Sequence, residues 1–280
     1  MNYDLQRLQQ LAKSNKSYKK AYLEYCRRYD AKTNIFLNTL HKKDLTNFEI
    51  VVAHYQEPVK NLNSWLERYY RIGVKTTVYH KGGWDRDSYD FASDNIITLP
   101  NIGRESHTYL RHILDRWNNL AEWTFFAQAD ISDHWQKAEM LPLNYYLLSG
   151  KIEKRTFTAN LIHHRIGLEP HQERAMETWW GKLQLSGQGI HNSGFRWAPG
   201  GFFSVHRDLI KKQGRDFYQR ILDTLKENNP IEGHFCERAW FYIFNNLGTA
   251  TAAAAAGAAT ATAGAAGAAG AAGAAGAAGA

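Results

Sequence analysis

Residues 96–134, IITLPNIGRESHTYLRHILDRWNNLAEWTFFAQADISDH, decide the fold, because they predict a strand, a glycine turn, a helix and a second strand in that order. Apolar, mostly β-branched residues at 96–99 are followed by turn chemistry from Pro100 to Gly103. Residues 123–129 are nearly all apolar, as in a strand that is buried on both faces. The helix between them has the i, i+3, i+4, i+7 spacing of one apolar face, formed by Leu110, Ile113, Leu114 and Trp117.

Polar residues occur in this stretch where a ligand can use them. The predicted helix begins beside Arg104, and the free N–H groups of a helix amino end suit an anion such as phosphate. Asp130, Asp133 and His134 follow the predicted buried strand. In open α/β sheets, ligands bind at the carboxyl ends of the strands. The stretch therefore predicts a phosphate-binding edge.

The segments before this stretch extend the same alternation. Residues 48–54 predict a first strand, 62–69 a helix and 75–79 a second strand, which gives the order β-α-β-β-α-β. Short strands that alternate with helices predict an α/β fold with a mostly parallel sheet flanked by helices. We assign residues 48–247 to this domain.

The positive charge of the chain is unevenly distributed. The net charge is +7, and residues 1–47 hold 10 of the 34 Lys and Arg but only 4 of the 27 Asp and Glu. Periodic Leu and Tyr predict a basic helical extension in this segment. We expect this extension to keep its basic face in solvent and to pack on the main domain or a partner; the alternative is attraction of the basic face to an anionic membrane surface or a polyanion. The main domain is near neutral, so we expect no nucleic-acid partner.

Other features of the sequence concern its location and its tail. Cys26 and Cys236 give neither a metal spacing nor a disulfide framework. No apolar run approaches the roughly 20 residues of a membrane span, and the first residues lack the apolar core of a signal peptide. We expect a cytoplasmic protein without a transmembrane segment. Residues 248–280 contain only Ala, Gly and Thr; they are a low-complexity tail or a string of nucleotide letters, and in both cases lie outside the fold.

Two resemblances add to this interpretation. The phrases LPNIGRESHTYLRHIL, FFAQADISDH, WAPGGFFSVHRDLI and PIEGHFCERAW resemble those of an uncharacterised family of similar size. The order of elements resembles the amino-terminal half of the GT-A glycosyltransferases, which use nucleotide sugars. That resemblance implies a Rossmann-like sheet in which His54, Tyr55 and Glu57 contact the base of the donor. It also implies that the turn at Asn101 and Gly103 opens the helix beside the donor.

The GT-A resemblance further implies a divalent metal, Mn²⁺ or Mg²⁺, at the end of the strand at 123–129. An Asp-x-Asp motif is expected there, but Gln128 replaces its first Asp and is a poorer ligand for a hard cation. Asp130 keeps the second position, and Asp133 or His134 completes the shell. The alternative is that basic side chains neutralise the leaving diphosphate, with Lys81, Arg104 and Arg111 as candidates.

The second half of the site is expected from the carboxyl-terminal part of the chain. Inverting sugar transfer needs a carboxylate to take the acceptor proton. Glu237, in a predicted helix at 236–246, and Glu232 are the candidates; alternatively they cap a helix or form a buried Glu–Arg pair. Residues 197–201 are expected to contact the donor sugar, with a tryptophan that can stack on the sugar and two glycines that let the sugar approach the backbone. Alternatively, the glycines only permit a tight turn into a strand. The three residues are Trp197, Gly200 and Gly201.

The combined pattern predicts a metal-assisted glycosyltransferase. It moves a sugar from a nucleoside-diphosphate sugar to a glycan or other hydroxyl acceptor. A metal-dependent phosphoesterase or nucleotidyl-transfer enzyme is the alternative if Asp130, Asp133 and His134 hold metal for attack on phosphorus. A third class is a non-catalytic carbohydrate-binding protein, which the content of 9 Trp, 15 Tyr and 13 Phe also permits.

Overall fold

The computed structural model describes residues 47–82, 90–129, 157–158, 162–163, 168–183, 185 and 196–245. Most of the predicted basic extension, the Ala/Gly/Thr tail and the predicted metal ligands Asp130, Asp133 and His134 lie outside these residues. Within the described ranges, no helix combines the length and the apolarity that a bilayer crossing requires.

The described elements alternate between strands and helices in the first half of the domain. The strands are β1 (Phe48–His54), β2 (Lys75–His80), β3 (Asn95–Thr98), β4 (Trp123–Gln128), β5 (Phe157–Thr158), β6 (Ile162–His163), β7 (Arg196–Trp197) and β8 (Phe203–His206). The helices are α1 (Val59–Arg71), α2 (Arg104–Asp115), α3 (Pro170–Lys182), α4 (Arg207–Lys212), α5 (Arg215–Leu222) and α6 (Ile231–Asn245), with a 3-10 turn at Pro199–Gly201.

The main sheet has the strand order β3-β2-β1-β4-β8-β5. Strands β3, β2, β1 and β4 pair in parallel. Strand β8 pairs antiparallel with both β4 and β5, so the sheet as a whole is mixed. The predicted α/β class with flanking helices is confirmed. From β1 the chain first builds β2 and β3 on one side and then places β4 on the other, so the order reverses between β1 and β4.

Helices cover the sheet on both faces, which explains the nearly unbroken apolar strands. Every residue of β1 is buried, and successive side chains point to opposite faces. One face carries Ile50 and Val52 and packs against the apolar stripe of α1. The opposite face carries Val51 and Ala53 and packs against residues of α2, α5 and α6. The sheet is therefore the middle layer of three.

Helix α6 begins earlier than its sequence suggests. The apolar pattern predicts a helix from residue 236, but the helix starts at Ile231, directly after Pro230. Gly and His have poor helix propensity, yet Gly233 is buried and packs against Arg104 of α2. Tertiary packing thus extends the helix by one turn and places Glu232 in that turn. The rest of α6 is anchored by the fully buried Trp240, whose ring centroid lies 5.4 Å from that of Phe203.

A buried polar network ties β1, β2 and α2 together. Glu49 accepts hydrogen bonds from Thr77 Oγ1 at 2.7 Å and from Lys75 Nζ at 3.1 Å. His112 of α2 lies with Nε2 3.8 Å from Glu49 Oε2, and its Nδ1 is 3.1 Å from the Tyr79 hydroxyl. Burial lowers the pKa of His112 to about 4, although the Glu49 carboxylate opposes this effect. His112 is therefore a neutral structural residue at pH 7.

This histidine makes stability depend on pH. Its folded pKa of about 4 lies below its ordinary value of 6.5, so the unfolded chain binds the proton more readily. The contribution is fully present above about pH 6.5 and is lost as the pH falls to about 4, by roughly 3 kcal/mol at 1.36 kcal/mol per pKa unit. Urea unfolding at several pH values should show this loss, and His112→Gln should have a flatter slope between pH 6.5 and 4. Equal slopes in the two proteins would contradict the assignment.

Candidate functional site

A cleft of about 350 Å³ opens at the carboxyl ends of β1, β2 and β4, beside the amino end of α2. It lies where the strand order reverses between β1 and β4, which is the usual ligand position in an open α/β sheet. The structure brings six of the predicted donor-binding residues into its lining: His54, Tyr55, Glu57, Lys81, Asn101 and Arg104. Gln128, which stands in the Asp-x-Asp position, lines it as well. Residues from four separate segments thus meet in one cleft.

The loop after β1 is held by its own hydrogen bonds. His54 Nε2 lies 2.8 Å from the Glu57 carbonyl oxygen, which can only accept, so Nε2 carries the proton. In a neutral ring, His54 Nδ1 then accepts from His80 Nδ1 at 2.9 Å. The Glu57 carboxylate accepts the Tyr55 backbone N–H at 2.6 Å. The loop is fixed while the Tyr55 side chain remains 39% exposed at the cleft.

Lys81 supports the opposite wall of the cleft. Its ammonium group donates hydrogen bonds to the carbonyl oxygens of Ile102 and Arg104, the latter at 2.5 Å. The residue is buried, and burial lowers its pKa to about 8, with the nearby Glu105 carboxylate acting in the opposite direction. Lys81 is therefore mostly charged at pH 7. It fixes the turn before α2 and adds positive charge to the cleft.

The turn before α2 has an unusual backbone. Gly103 and Arg104 have consecutive positive φ angles of 63° and 52°. Arg104 is the only non-glycine residue with a positive φ in the described part of the chain. The Gly103 N–H donates to Glu227 O at 2.7 Å, and its carbonyl oxygen accepts the His107 N–H at 3.0 Å. A side-chain-bearing residue in this region costs energy and often marks a functional site.

The Arg104 side chain connects the cleft with α6. Its Nη1 lies 2.8 Å from His234 Nε2 and 3.4 Å from Asn229 Oδ1. Its Nε is 3.5 Å from Glu105 Oε2. Burial and the positive charges of Arg104 and Arg238 lower the pKa of His234 to about 4, so the imidazole is neutral and accepts this hydrogen bond.

Glu105 is a cleft residue that the sequence pattern does not reveal. It is 7% exposed, and its Oε1 is buried without a hydrogen-bond partner. Burial raises its pKa, the Arg104 charge opposes this, and the Glu237 carboxylate reinforces it. An acidic residue in the first turn of a helix normally indicates only a favourable dipole interaction, so its burial cannot be read from the sequence.

Asn228 and Asn229 also line the cleft. In the sequence, they look like the residues of an ordinary turn before Pro230.

The predicted second half of the site adjoins the cleft at Glu105. Gly201 has a positive φ of 66°, and a Cβ built on it would lie 3.4 Å from Glu105 Cγ. The Gly200 N–H donates to Glu237 Oε1 at 2.5 Å, and Glu237 Oε2 accepts from Arg238 Nη1 at 3.2 Å. Both carboxylate oxygens of Glu237 therefore have hydrogen-bond partners. The contact with Arg238 is the Glu–Arg pair that the sequence offers as the alternative to a catalytic role.

Trp197 lies on the same side of the molecule. The Arg238 guanidinium covers its ring, with Cζ 4.5 Å from the ring centroid. Glu232 is half-buried in the first turn of α6. None of Trp197, Gly200, Gly201, Glu232 and Glu237 is among the residues that line the cleft. Arg111, the third basic candidate, pairs with Asp115 on the surface of α2 at 2.9 Å and does not line it either.

The end of β4 forms the cleft edge at which the sequence predicts a metal. The Ala129 N–H donates to Ala53 O at 2.9 Å, so the chain is still paired with β1 at the cleft edge just before Asp130. Gln128 supplies a neutral amide oxygen, a weaker donor for a hard cation than a carboxylate. In the parts of the chain that the structure describes, no three His, Cys, Asp or Glu side chains group as metal ligands. A metal site at Asp130, Asp133 and His134 stays a prediction.

The fold and cleft define an α/β protein with a cleft at the carboxyl edge of its sheet. The chain belongs to the family described as "Protein of unknown function (DUF3431)", which matches residues 50–260. This confirms the resemblance to an uncharacterised family. No curated protein and no solved structure matches the chain.

Proposed function

We propose that the protein is a glycosyltransferase that moves a sugar from a nucleoside-diphosphate sugar to a hydroxyl acceptor. The observation that carries this proposal is the meeting of His54, Tyr55, Lys81, Asn101 and Arg104 in one cleft at the switch point of the sheet. These residues were assigned to the donor from the sequence alone. The element order β-α-β-β-α-β, on which the GT-A resemblance rests, is also that of the described domain.

The cleft has groups suited to a diphosphate. The amino end of α2 presents backbone N–H groups and the positive end of the helix dipole. Arg104 and Lys81 add two positive charges from different elements. Such groups stabilise the negative charge that develops on a leaving diphosphate. A Mn²⁺ or Mg²⁺ ion held by Asp130, with Asp133 or His134, would supply further charge neutralisation.

The remaining cleft residues suit a nucleoside. Tyr55 offers a partly exposed ring that can stack on a base or a sugar. Asn101, Asn228 and Asn229 offer amide groups that can both donate and accept hydrogen bonds. The rigid hydrogen bonding of the loop after β1 lowers the entropy cost of holding such a ligand.

For the acceptor proton, the contacts favour Glu232 over Glu237. A general base needs an oxygen that is available to the acceptor hydroxyl. Both Glu237 oxygens bind neighbouring donors, Gly200 N–H and Arg238. Glu232 makes no such hydrogen bond among the described contacts, and it lies in the first turn of the helix that contacts Arg104. Glu237 is then a positioning residue, which holds the backbone turn at Gly200 by accepting the hydrogen bond from the Gly200 N–H.

The proposal is tested by donor turnover. With UDP- and GDP-sugars and water as a slow substitute acceptor, we expect release of the nucleoside diphosphate from at least one donor, faster with Mn²⁺; a CMP-sugar, which has a single phosphate, should react more slowly. Liquid chromatography of the free nucleotide measures this release. A generic phosphodiester serves as the comparison substrate. Metal-dependent hydrolysis of the phosphodiester without turnover of any sugar nucleotide would favour the phosphoesterase class and contradict the proposal.

A further inference from the structure

The first turn of α6 and the residues just before it form a built binding position for Arg104, which we term the Arg104 seat. It consists of Asn229, Gly233 and His234. His234 Nε2 and Asn229 Oδ1 lie 2.8 Å and 3.4 Å from Arg104 Nη1. A guanidinium group can only donate, so His234 Nε2 must present its lone pair and carry its proton on Nδ1.

Gly233 makes room for the aliphatic part of the arginine. A Cβ built on Gly233 would lie 2.8 Å from Arg104 Cδ and 3.3 Å from Cγ. Both distances are shorter than ordinary carbon contacts. The Arg104 chain therefore lies directly on the backbone of α6, and its guanidinium is held at the cleft by two side chains of the seat.

The backbone conformation of Arg104 indicates that the position of its side chain is important for function. Its φ of 52° is unfavourable for a residue with a side chain. Glycine would avoid this cost, so the structure retains an arginine side chain at a strained position. Strain of this kind persists where the surroundings over-determine it, and the seat provides such surroundings.

We propose that His234 and Gly233 are positioning residues that hold Arg104 in the orientation that binds the anionic group of the ligand. The inference rests on the proposed function for the nature of that ligand. A free arginine side chain loses rotamer entropy when it binds a ligand, and a side chain that is already held loses less of it. Helix α6 thus sets the affinity of a cleft whose other residues come from β1, β2, β4, α2 and the loops beside them.

The first readout follows Arg104 itself, without any ligand. In the folded protein, the Arg104 side-chain Nη–Hη signal in ¹⁵N NMR, assigned by its loss in Arg104→Met, should be shifted and slow to exchange, because Nη1 donates to His234. In His234→Leu it should merge with the signals of exposed arginines. His234→Gln restores an acceptor oxygen and should restore the signal. His171→Leu, at an exposed position of α3, is the matched control and should leave it unchanged.

The second readout is the affinity for inorganic pyrophosphate, measured by calorimetry. His234→Leu should weaken binding about tenfold, as expected for loss of one hydrogen bond to a charged group. His234→Gln should stay within about threefold of the native protein. Gly233→Ala is a second route to the same effect, because it displaces Arg104 while raising helix propensity. If the Arg104 NMR signal becomes disordered in Gly233→Ala, the cause is therefore the displaced side chain and not the unfolding of α6.

The outcomes separate the two proposals. An ordered Arg104 signal in both His234→Leu and Gly233→Ala would overturn the positioning role. A disordered signal with unchanged pyrophosphate affinity would overturn the link to binding. If the native protein binds no pyrophosphate, the proposed function loses its anion site, and the NMR signal alone decides whether the seat positions Arg104.

Discussion

Replacement of Arg104 by methionine is expected to weaken the binding of nucleoside diphosphates by about 100-fold. Hydrogen bonds to charged groups contribute about 1.5–3 kcal/mol each, and Arg104 is the cation that the structure places at both the cleft and the amino end of α2. Methionine keeps the aliphatic chain that packs on Gly233, so the fold should persist. Calorimetric titration measures the affinity, and thermal unfolding checks the fold.

A surface arginine provides the matched control for this variant. Arg71 ends α1 at the opposite edge of the sheet and pairs with Glu67 on the surface, with its side chain 73% exposed. Arg71→Met removes the same charge and should change the affinity by less than about twofold, since distant surface charges are screened by salt. If Arg71→Met and Arg104→Met weaken nucleotide binding equally, the loss of affinity comes from the change in net charge. Arg104 is then not a residue of the binding site.

Replacement of Gly103 by alanine is expected to lower the free energy of unfolding by about 3 kcal/mol. The φ of 63° costs a side-chain-bearing residue about 1–2 kcal/mol. A Cβ at this position would also lie 2.7 Å from the Cβ atoms of His107 and Leu225, and such overpacking costs about 1–3 kcal/mol. Urea unfolding measures the loss. Because α2 and the segment after α5 must move apart, nucleotide binding should fall as well.

Gly214→Ala shows the cost of backbone strain without a close contact. Gly214 has a φ of 78° and a ψ of 155°, a region that only glycine readily adopts, but no atom lies within 4 Å of a Cβ built there. That variant should lose only the conformational part, about 1–3 kcal/mol. A loss in Gly103→Ala of no more than about 1–2 kcal/mol, the conformational cost of its own φ alone, would show that the close packing of Gly103 against Leu225 has no energetic importance.

The parallel core and the position of the cleft could be predicted because they depend on local patterns. Nearly unbroken apolar runs at 48–54 and 123–128 indicate strands buried on both faces. Parallel strands bring their carboxyl ends to one edge, so the polar residues after them must meet there. Lys81 and Arg104, which the GT-A resemblance offers with Arg111 as candidates for neutralising the diphosphate, both line the cleft although 23 residues separate them; the Lys81 ammonium lies 2.5 Å from the Arg104 carbonyl oxygen.

The features that the sequence did not reveal depend on contacts between distant segments. Glu105 is buried where the turn at Gly201 packs against it, nearly 100 residues later in the chain. The first turn of α6 is helical because Gly233 lies on Arg104, more than 100 residues earlier in the chain. Strand β8 gives no sign of its antiparallel direction, since its four residues are buried whichever way they run. Such pairings are properties of the folded chain and leave no local pattern.

The cleft is expected to bind a nucleotide, and nucleotide titration tests this most directly. Calorimetric titration of the native protein with UDP, GDP and CMP, with and without Mn²⁺, should show one-to-one binding of UDP or GDP, tightened by Mn²⁺, and weaker binding of CMP, which has a single phosphate. The same titration of Arg104→Met should show that heat lost or strongly reduced. If none of the three nucleotides binds under either condition, the glycosyltransferase proposal is wrong.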